Sequence, residues 1–493
     1  MRRAARATAI LTVTYLGVLS VGNTDSRRWL YLLVSLSAWI AFGLVARWFF
    51  HVGRPGPADD AGPADDTPAA RRPLLAVASL ALVVQLPGLF FPPASSTDLN
   101  RYVWDGRVQL DGVDPYRYVP FDDRLAHLRD PILFPGLRPD EASGVTTEPL
   151  PADREGVLEY ARNDARSPIS RPRFLTPYPP VAEAYYAAVS AVTPWSWGSK
   201  GFQVSGALLA VATSVLVARY LRSRGRDPFQ ALVWAWSPTV VLEAGNGGHV
   251  DVLVALLIVL AVMAAVHRRA ALVVGGLVGL AAAVKLTPFV VLPAFTPWRF
   301  TRGDGSPAGV WGGIRRSLVV GLTAIGLVVL VYLPHYLAVG PAIKGSLDGY
   351  LAEEGGENRA SLLTLVLPLP VANVVAVVVC LGVAAWAVLG RRGREDDPAL
   401  PALYLYGALL LTTTPVLAWY SLPLVALAVM VGRPEWLALA VAGCCAYGGH
   451  GAYPATPVAY AAALLVIYLV TVRRIRRRRP PAATPPRPAP RTT

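Results

Sequence analysis

Charge is what this chain has least of. Asp, Glu, Lys and Arg make up 16% of its 493 residues, hydrophobic residues make up 54%, and the mean hydropathy is +0.43. A water-soluble domain carries about 25% charged residues, so this chain cannot clothe a soluble surface and lipid is its main solvent. Lysine is almost missing: Lys200, Lys285 and Lys344 are all there are. The net charge of +14 therefore rests on arginine, which reads as the orienting charge of a membrane protein and calls for no nucleic acid. The three cysteines, Cys380, Cys444 and Cys445, lie in apolar runs and make neither a disulfide framework nor a metal-ligand pattern. No P-loop, dinucleotide glycine fingerprint or HExxH is present. No segment facing the cytoplasm is large enough for a nucleotide-sugar or ATP. Any energy must come from a pre-activated lipid-linked donor, an ion gradient, or nothing.

What is there is a series of long apolar runs, from Ala7–Gly22, Trp29–Phe50 and Pro73–Phe91 to Thr456–Val472. A bilayer core of ~30 Å needs ~20 apolar residues per helix. The runs predict an all-α polytopic membrane protein of 12–14 transmembrane helices with a large first extracytoplasmic loop. Arg2, Arg3 and Arg6 at one end and Arg473, Arg474 and Arg476–Arg479 at the other place both termini in the cytoplasm. The division that follows is two N-terminal spans over 1–50, a cytoplasmic Gly/Pro/Asp/Ala linker over 51–72, a core over 73–297, further spans over 298–472, and a basic, Pro-rich tail over 473–493. Within the core, 94–180 is one outer loop. The run 181–197, with Glu183, Tyr185, Tyr186, Trp195 and Trp197, reads as a juxtamembrane helix that does not cross. The run Phe229–Ala244 reads as a span, and Leu286–Pro297 as a half-length return after Lys285.

Polar residues collect on the outer side. After Ser95-Ser96-Thr97, a helix start signal, Asp98, Arg101, Tyr102, Asp105 and Gln109 fall at i, i+3, i+4, i+7 and i+11 on one stripe. Leu99, Val103 and Leu110 form another side, suited to resting on the membrane. Gly112 ends the helix and Asp114-Pro115-Tyr116 makes a turn. On spacing alone the stripe reads equally as a capping Asp98 and a surface Arg101–Asp105 pair. Glu243, Asn246, His249 and Asp251 flank one outer turn. Lys285 ends an all-apolar run, where a cation needs an anionic partner. His335, Glu353, Glu354, Trp419, Tyr420 and His450 lie at later outer turns. Such a face suits group transfer from a lipid phosphate. A carboxylate takes the proton of an acceptor hydroxyl, a cation holds the leaving phosphate, and aromatic rings stack on sugar faces.

The string Asp98-Leu-Asn-Arg-Tyr-Val-Trp-Asp-Gly106, followed by Gly112-Val-Asp-Pro-Tyr116, opens the outer loop. It resembles the first-loop signature of integral-membrane glycosyltransferases of the C-type (GT-C) fold. The nearest likeness is to actinobacterial polyprenol-phosphate-mannose-dependent mannosyltransferases. Tyr178-Pro-Pro180, Gly248-His-Val-Asp251 and Lys285-Leu-Thr-Pro288 are similar to the same group, and the likeness runs from about Pro73 to Pro297. It implies a polyprenyl-phosphate sugar donor, a lipid-linked glycan acceptor, and transfer at the extracytoplasmic face with inversion. It also implies an acidic base at the start of the loop, here Asp98, with Asp105 second or a structural partner of Arg101. Lys285 matches the phosphate-contacting base of that group, with His249 and Asp251 facing the same cavity. One Asp stands where a paired acid would be, and two spans precede the motif-bearing one. No metal or other cofactor is expected.

The expectation is a cell-membrane hexosyltransferase, with mannose as the sugar. Asp98 deprotonates the acceptor, Lys285 with Arg101 or His249 holds the donor phosphate, and Tyr102, Tyr116 and Trp419 shape the sugar pocket. The alternative is a secondary transporter or flippase of a lipid-linked sugar.

Overall fold

In the computed structural model the described residues are 1–22, 27–52, 68–144, 164–297, 309–345, 362–390, 397–414, 416–448 and 455–478. His450, Glu353, Glu354, most of the 51–72 linker and the tail from residue 479 lie outside them. The regular structure of the described residues is all helical, with no strand among them. In chain order the helices are α1 (Arg2–Val21), α2 (Arg28–Val52), α3 (Pro68–Phe90), α4 (Asp98–Leu110), α5 (Pro180–Ala191), α6 (Lys200–Ser223), α7 (Asp251–Val266) and α8 (Ala271–Val284). They continue as α9 (Val310–Val339), α10 (Leu369–Leu389), α11 (Ala399–Thr412), α12 (Leu422–Val431), α13 (Ala438–Gly448) and α14 (Ala455–Arg478).

Seven of them (α1, α2, α3, α6, α9, α10 and α14) are long and apolar enough to cross a membrane, and α7 with the preceding turn, bent from it by 111°, forms a broken span or a re-entrant loop. Four shorter apolar segments, Ala271–Val284, Ala399–Thr412, Ala418–Val431 and Pro434–Ala446, complete the bundle. The polytopic all-α architecture expected from the apolar runs is thus present, with seven or eight full-length spans among the described residues where 12–14 were expected.

The core lies around α3, α6, α7 and α12, whose inward positions are fully buried. The two N-terminal helices are built into it: α1 packs on α2 and α3. The Tyr15 hydroxyl donates to the Trp236 carbonyl, and Trp236 Nε1 donates to Thr8 Oγ1 at 3.0 Å. By contrast α9 and α10 bury only 11% of their spans and stand at the periphery. α9 packs chiefly against α8, where Gly279 makes room: a Cβ there would meet the Ala324 carbonyl oxygen at 2.7 Å. Small residues allow this close backbone approach where no hydrophobic force draws helices together in lipid.

Three expectations are corrected. The run Phe229–Ala244 is not a continuous span. It breaks into a 3-10 turn Pro228–Ala231, a single helical turn Leu232–Ala235 and a π-helical turn Val240–Asn246. Pro228 and Pro238 remove backbone donors, and the chain has Gly245, Gly247 and Gly248 just beyond. The return after Lys285 is a nine-residue 3-10 stretch, Thr287–Phe295, with Pro288 and Pro293 inside it. Finally, the apolar side of α4 is buried over most of its length, only Leu110 standing 50% exposed. Leu99 and Val103 are 0% and 4% exposed, because α4 is sandwiched between α5 and the bend at Asn246–Asp251.

The loop segments cap this end of the bundle with ion pairs between residues spread from Arg107 to Arg173 in the sequence. Arg107 pairs with Asp130 at 2.6 Å, Arg129 with Asp123 at 2.9 Å, and Asp164 with Arg166 and Arg173 at 2.9 and 2.7 Å. The Arg166 hydrogen bonds hold the Asp164 carboxyl down to about 2.

Candidate active site

The site begins with how α3 ends. Pro92 and Pro93 stop the helix, leaving terminal carbonyls without intrahelical partners. Lys200 Nζ takes those of Leu89 and Phe91, both at 2.8 Å. Asn246 Nδ2 takes Gly88 at 3.0 Å and Pro92 at 2.9 Å, while its Oδ1 accepts from the Ala94 amide at 2.8 Å. Gln203 Nε2 ties the Asn246 carbonyl at 2.8 Å. These buried polar groups fix the segment Ala94–Thr97 and with it the first residue of α4, Asp98. The Ser96 hydroxyl accepts from the Asp98 amide at 3.1 Å, and the Asp98 side chain is half-buried.

Directly beneath is the bend. Gly248 has φ 54, and a Cβ there would meet Leu99 Cδ2 at 2.9 Å. Only glycine adopts that backbone and leaves α4 this close. On one side of Gly248 stands the π-turn, a geometry frequent at functional sites; on the other are His249 and Asp251. His249 is fully buried and lies flat on Trp419, with centroids 4.1 Å apart and planes 8° from parallel. Its Nδ1 faces the Glu243 carbonyl at 3.1 Å and the Glu243 carboxyl at 3.4 Å. A proton on Nδ1 satisfies that carbonyl and leaves Nε2, which has no partner among the described residues, as a bare acceptor.

Asp251 opens α7 at 1% exposure and accepts from Lys285 Nζ at 2.7 Å. The same ammonium lies 3.6 Å from the Tyr420 ring centroid, a cation–π contact. Two carboxylates, Asp98 and Asp251, stand close enough to act on both the Tyr102 hydroxyl and the His249 ring, and Lys285 also acts on His249. The Asp98 charge acts on the Tyr178 hydroxyl as well. Burial first, then the two carboxylates, push the Tyr102 phenol well above its ordinary range, so it remains a hydroxyl.

The structure therefore brings Asp98, His249, Asp251, Lys285 and Trp419 together from four separate segments. Other expected site residues stand behind them. Tyr102, 1% exposed, stacks on Tyr186 at 4.3 Å and meets Tyr178 edge-on at 5.2 Å. Tyr116 donates to the Tyr178 carbonyl at 2.6 Å and meets His335 edge-on. His335 itself pairs with Asp114 at 2.8 Å, tying α9 to the loop. Arg101 is 2% exposed and committed to both oxygens of Asp105 at 2.8 and 2.9 Å and to the Phe174 carbonyl. The Arg101–Asp105 pair is thus interior rather than on the surface, and neither member faces the Asp98 cluster.

Two contributors carry no sequence signal. Arg171 sits at φ 52, rare for a side-chain-bearing residue; its carbonyl accepts from Arg101 and its charge acts on Tyr178. Glu183, fully buried on α5, lies beside Asp105. Chemically the cluster offers a half-buried carboxylate, a cation, a bare imidazole nitrogen and flat aromatic faces.

Compared with known families, residues 174–418, just under half of the chain, match the model of Glycosyltransferase family 87. This supports a glycosyltransferase activity and is consistent with a membrane glycosyltransferase of the GT-C type; it does not favour a transporter. The matched segment contains His249, Asp251 and Lys285, while Asp98 and its helix precede it and Trp419 follows it. No curated protein and no solved structure matches the chain.

Proposed function

From the family 87 match we propose that the chain transfers a sugar, mannose in the first instance, from a polyprenyl-phosphate donor to a lipid-anchored glycan at the extracytoplasmic membrane face. Both termini then face the cytoplasm, as the arginine distribution asks. The carrying observation is the convergence of Asp98, His249, Asp251 and Lys285 at one end of the bundle, beneath the loop.

In this reading Asp98 takes the proton of the acceptor hydroxyl as its oxygen forms a bond to the anomeric carbon. The bond from that carbon to the phosphate oxygen breaks, and the electron pair leaves with the polyprenyl phosphate. Lys285 is the cation within reach of that developing charge. Its existing partner Asp251 keeps the ammonium in place before the donor arrives. Trp419, backed by His249, offers a flat face for the sugar ring.

The test is transfer by purified protein from labelled polyprenyl-phosphate-mannose to a membrane lipid extract. Asp98→Asn should lower kcat/KM by about 10²-fold or more with an unchanged melting temperature. Wild-type rates in Asp98→Asn and Asp98→Ala would remove Asp98 as the base. Transfer from a different lipid-phosphate sugar would replace mannose and leave the base in place.

A further inference from the structure

Seven residues along α4 from Asp98, about 10 Å at helical rise, Asp105 meets α5 in a pocket of two carboxyls and one cation. Asp105 and Glu183 are 2% and 0% exposed. Arg101 Nε donates to both Asp105 oxygens. Glu183 Oε1 lies 2.6 Å from Thr176 Oγ1, and its Oε2 lies 2.9 Å from Gln109 Nε2. Gln109 Nε2 bridges the two residues, donating to the Asp105 carbonyl at 3.0 Å and to the Glu183 carboxyl at 2.9 Å, and the two carboxyls act on each other. Ionised carboxylates only accept, so these two can hydrogen-bond to each other only if one of them holds a proton. Charge balance says the same: one guanidinium offsets one carboxylate, and a second buried negative charge would stand uncompensated. The proton belongs to Glu183, because Asp105 has the guanidinium on both oxygens while Glu183 meets only neutral donors. The other ionisable groups acting on this pocket are Tyr186 on α5, Tyr116 in the loop and Tyr332 on α9. All are phenols without charge at neutral pH.

We propose that Glu183 is a positioning residue that works only while protonated: its O–H, donated to Asp105, fastens α4 to α5 and so holds Asp98 in place at the other end of the same helix. The role assigned to Asp98 rests on the glycosyltransferase reading above; the protonated pair does not. Burial, and next the Asp105 charge, raise the Glu183 carboxyl well above its ordinary range. A raised acid favours the fold fully below its unfolded value near 4.3, and that contribution is lost as pH rises through the folded value. Losing the proton leaves two adjacent carboxylates facing one guanidinium. The link between the helices then opens on the alkaline side.

The test uses the full-length protein in lipid nanodiscs. Glu183→Gln keeps a donor toward Asp105 and an acceptor toward Thr176 but cannot ionise; Glu183→Ala keeps neither. Melting temperature is measured from about pH 6 to about pH 9, together with the infrared carbonyl band of protonated carboxylic acids. The wild type should lose stability toward pH 9 and show an acid carbonyl band at neutral pH. Glu183→Gln should lack both the slope and the band. Asp105→Asn should also lose the band, since Glu183 can then ionise against Arg101, which covers the case of a poorly folding Gln variant. In the transfer assay Glu183→Gln should stay within about twofold of wild type at neutral pH without an alkaline fall. Glu183→Ala should lose about tenfold in kcat with little change in KM. A Glu183→Gln protein with the wild-type slope, or wild-type and variant spectra that superimpose in the acid carbonyl region, would overturn the proposal. Failure of transfer in every protein would count against the donor alone, because melting and infrared readouts decide the proton independently.

Discussion

Lys285 answers to two neighbours at once, the Asp251 carboxylate at 2.7 Å and the Tyr420 ring. Removing it strands a carboxylate that is almost wholly inside the protein. Lys285→Ala should therefore cost about 3–5 kcal/mol, read as a lowered melting temperature, and Asp251→Asn in the same chain should return much of it. Equal losses in the single and double variants would show that the pair is not coupled. Lys285 and Asp98 were legible in the sequence by different signals. Lys285 is a rare charge at the end of an apolar run, expensive unless something meets it, and Asp98 follows a helix-start signal at the head of a polar stripe. The Arg101–Asp105 pair was legible as a pair from its i,i+4 spacing, but its depth was not. Glu183 and Asp105 are far apart in the chain, and no local pattern announces a contact between them. Nor does sequence report a positive φ at an arginine, so Arg171 stayed silent.

At the scale of elements, the bend at Gly248 is the joint on which the site is assembled. A side chain at this position must adopt φ 54 and push against Leu99. Gly248→Val should cost on the order of 2 kcal/mol or more and displace α4, lowering transfer more than Asn246→Ala, which loosens α3 without touching Leu99. Comparison of melting curves and rates for the two variants checks this. The loop cap has its own signature in acid. Asp164 is held down to about 2 by Arg166 and Arg173. Its contribution is present above the unfolded value near 3.9 and is lost as pH falls toward 2. Protease resistance of the loop should fall over that window, and Asp164→Asn should abolish the dependence. The long spans were legible because an unbroken apolar run is itself the physical requirement for crossing. The π-turn was not, since Phe229–Ala244 is as apolar as a true span, and its interruption depends on polar partners from other helices, such as Gln203 of α6 on the Asn246 carbonyl and the α3 carbonyl of Gly88 on the Asn246 side-chain amide.

Across the whole molecule, the arginines at both ends and the loop over one face of the bundle fit a protein with two unlike surfaces. The bundle is also uneven in height. α8 has 14 residues, and the 3-10 return Thr287–Phe295 beside Lys285 has nine. At about 1.5 Å per α-helical residue and about 2.0 Å per 3-10 residue, these reach roughly 20 Å, against a hydrocarbon slab of ~30 Å. Lipid meeting this waist next to Lys285 would have to pinch, drawing headgroups down toward the ammonium. Host lipids with short acyl tails meet this waist without distortion and long ones resist it. Turnover should thus fall as tail length grows in otherwise matched vesicles, while a flat response would mean the waist is filled by protein or water instead of lipid.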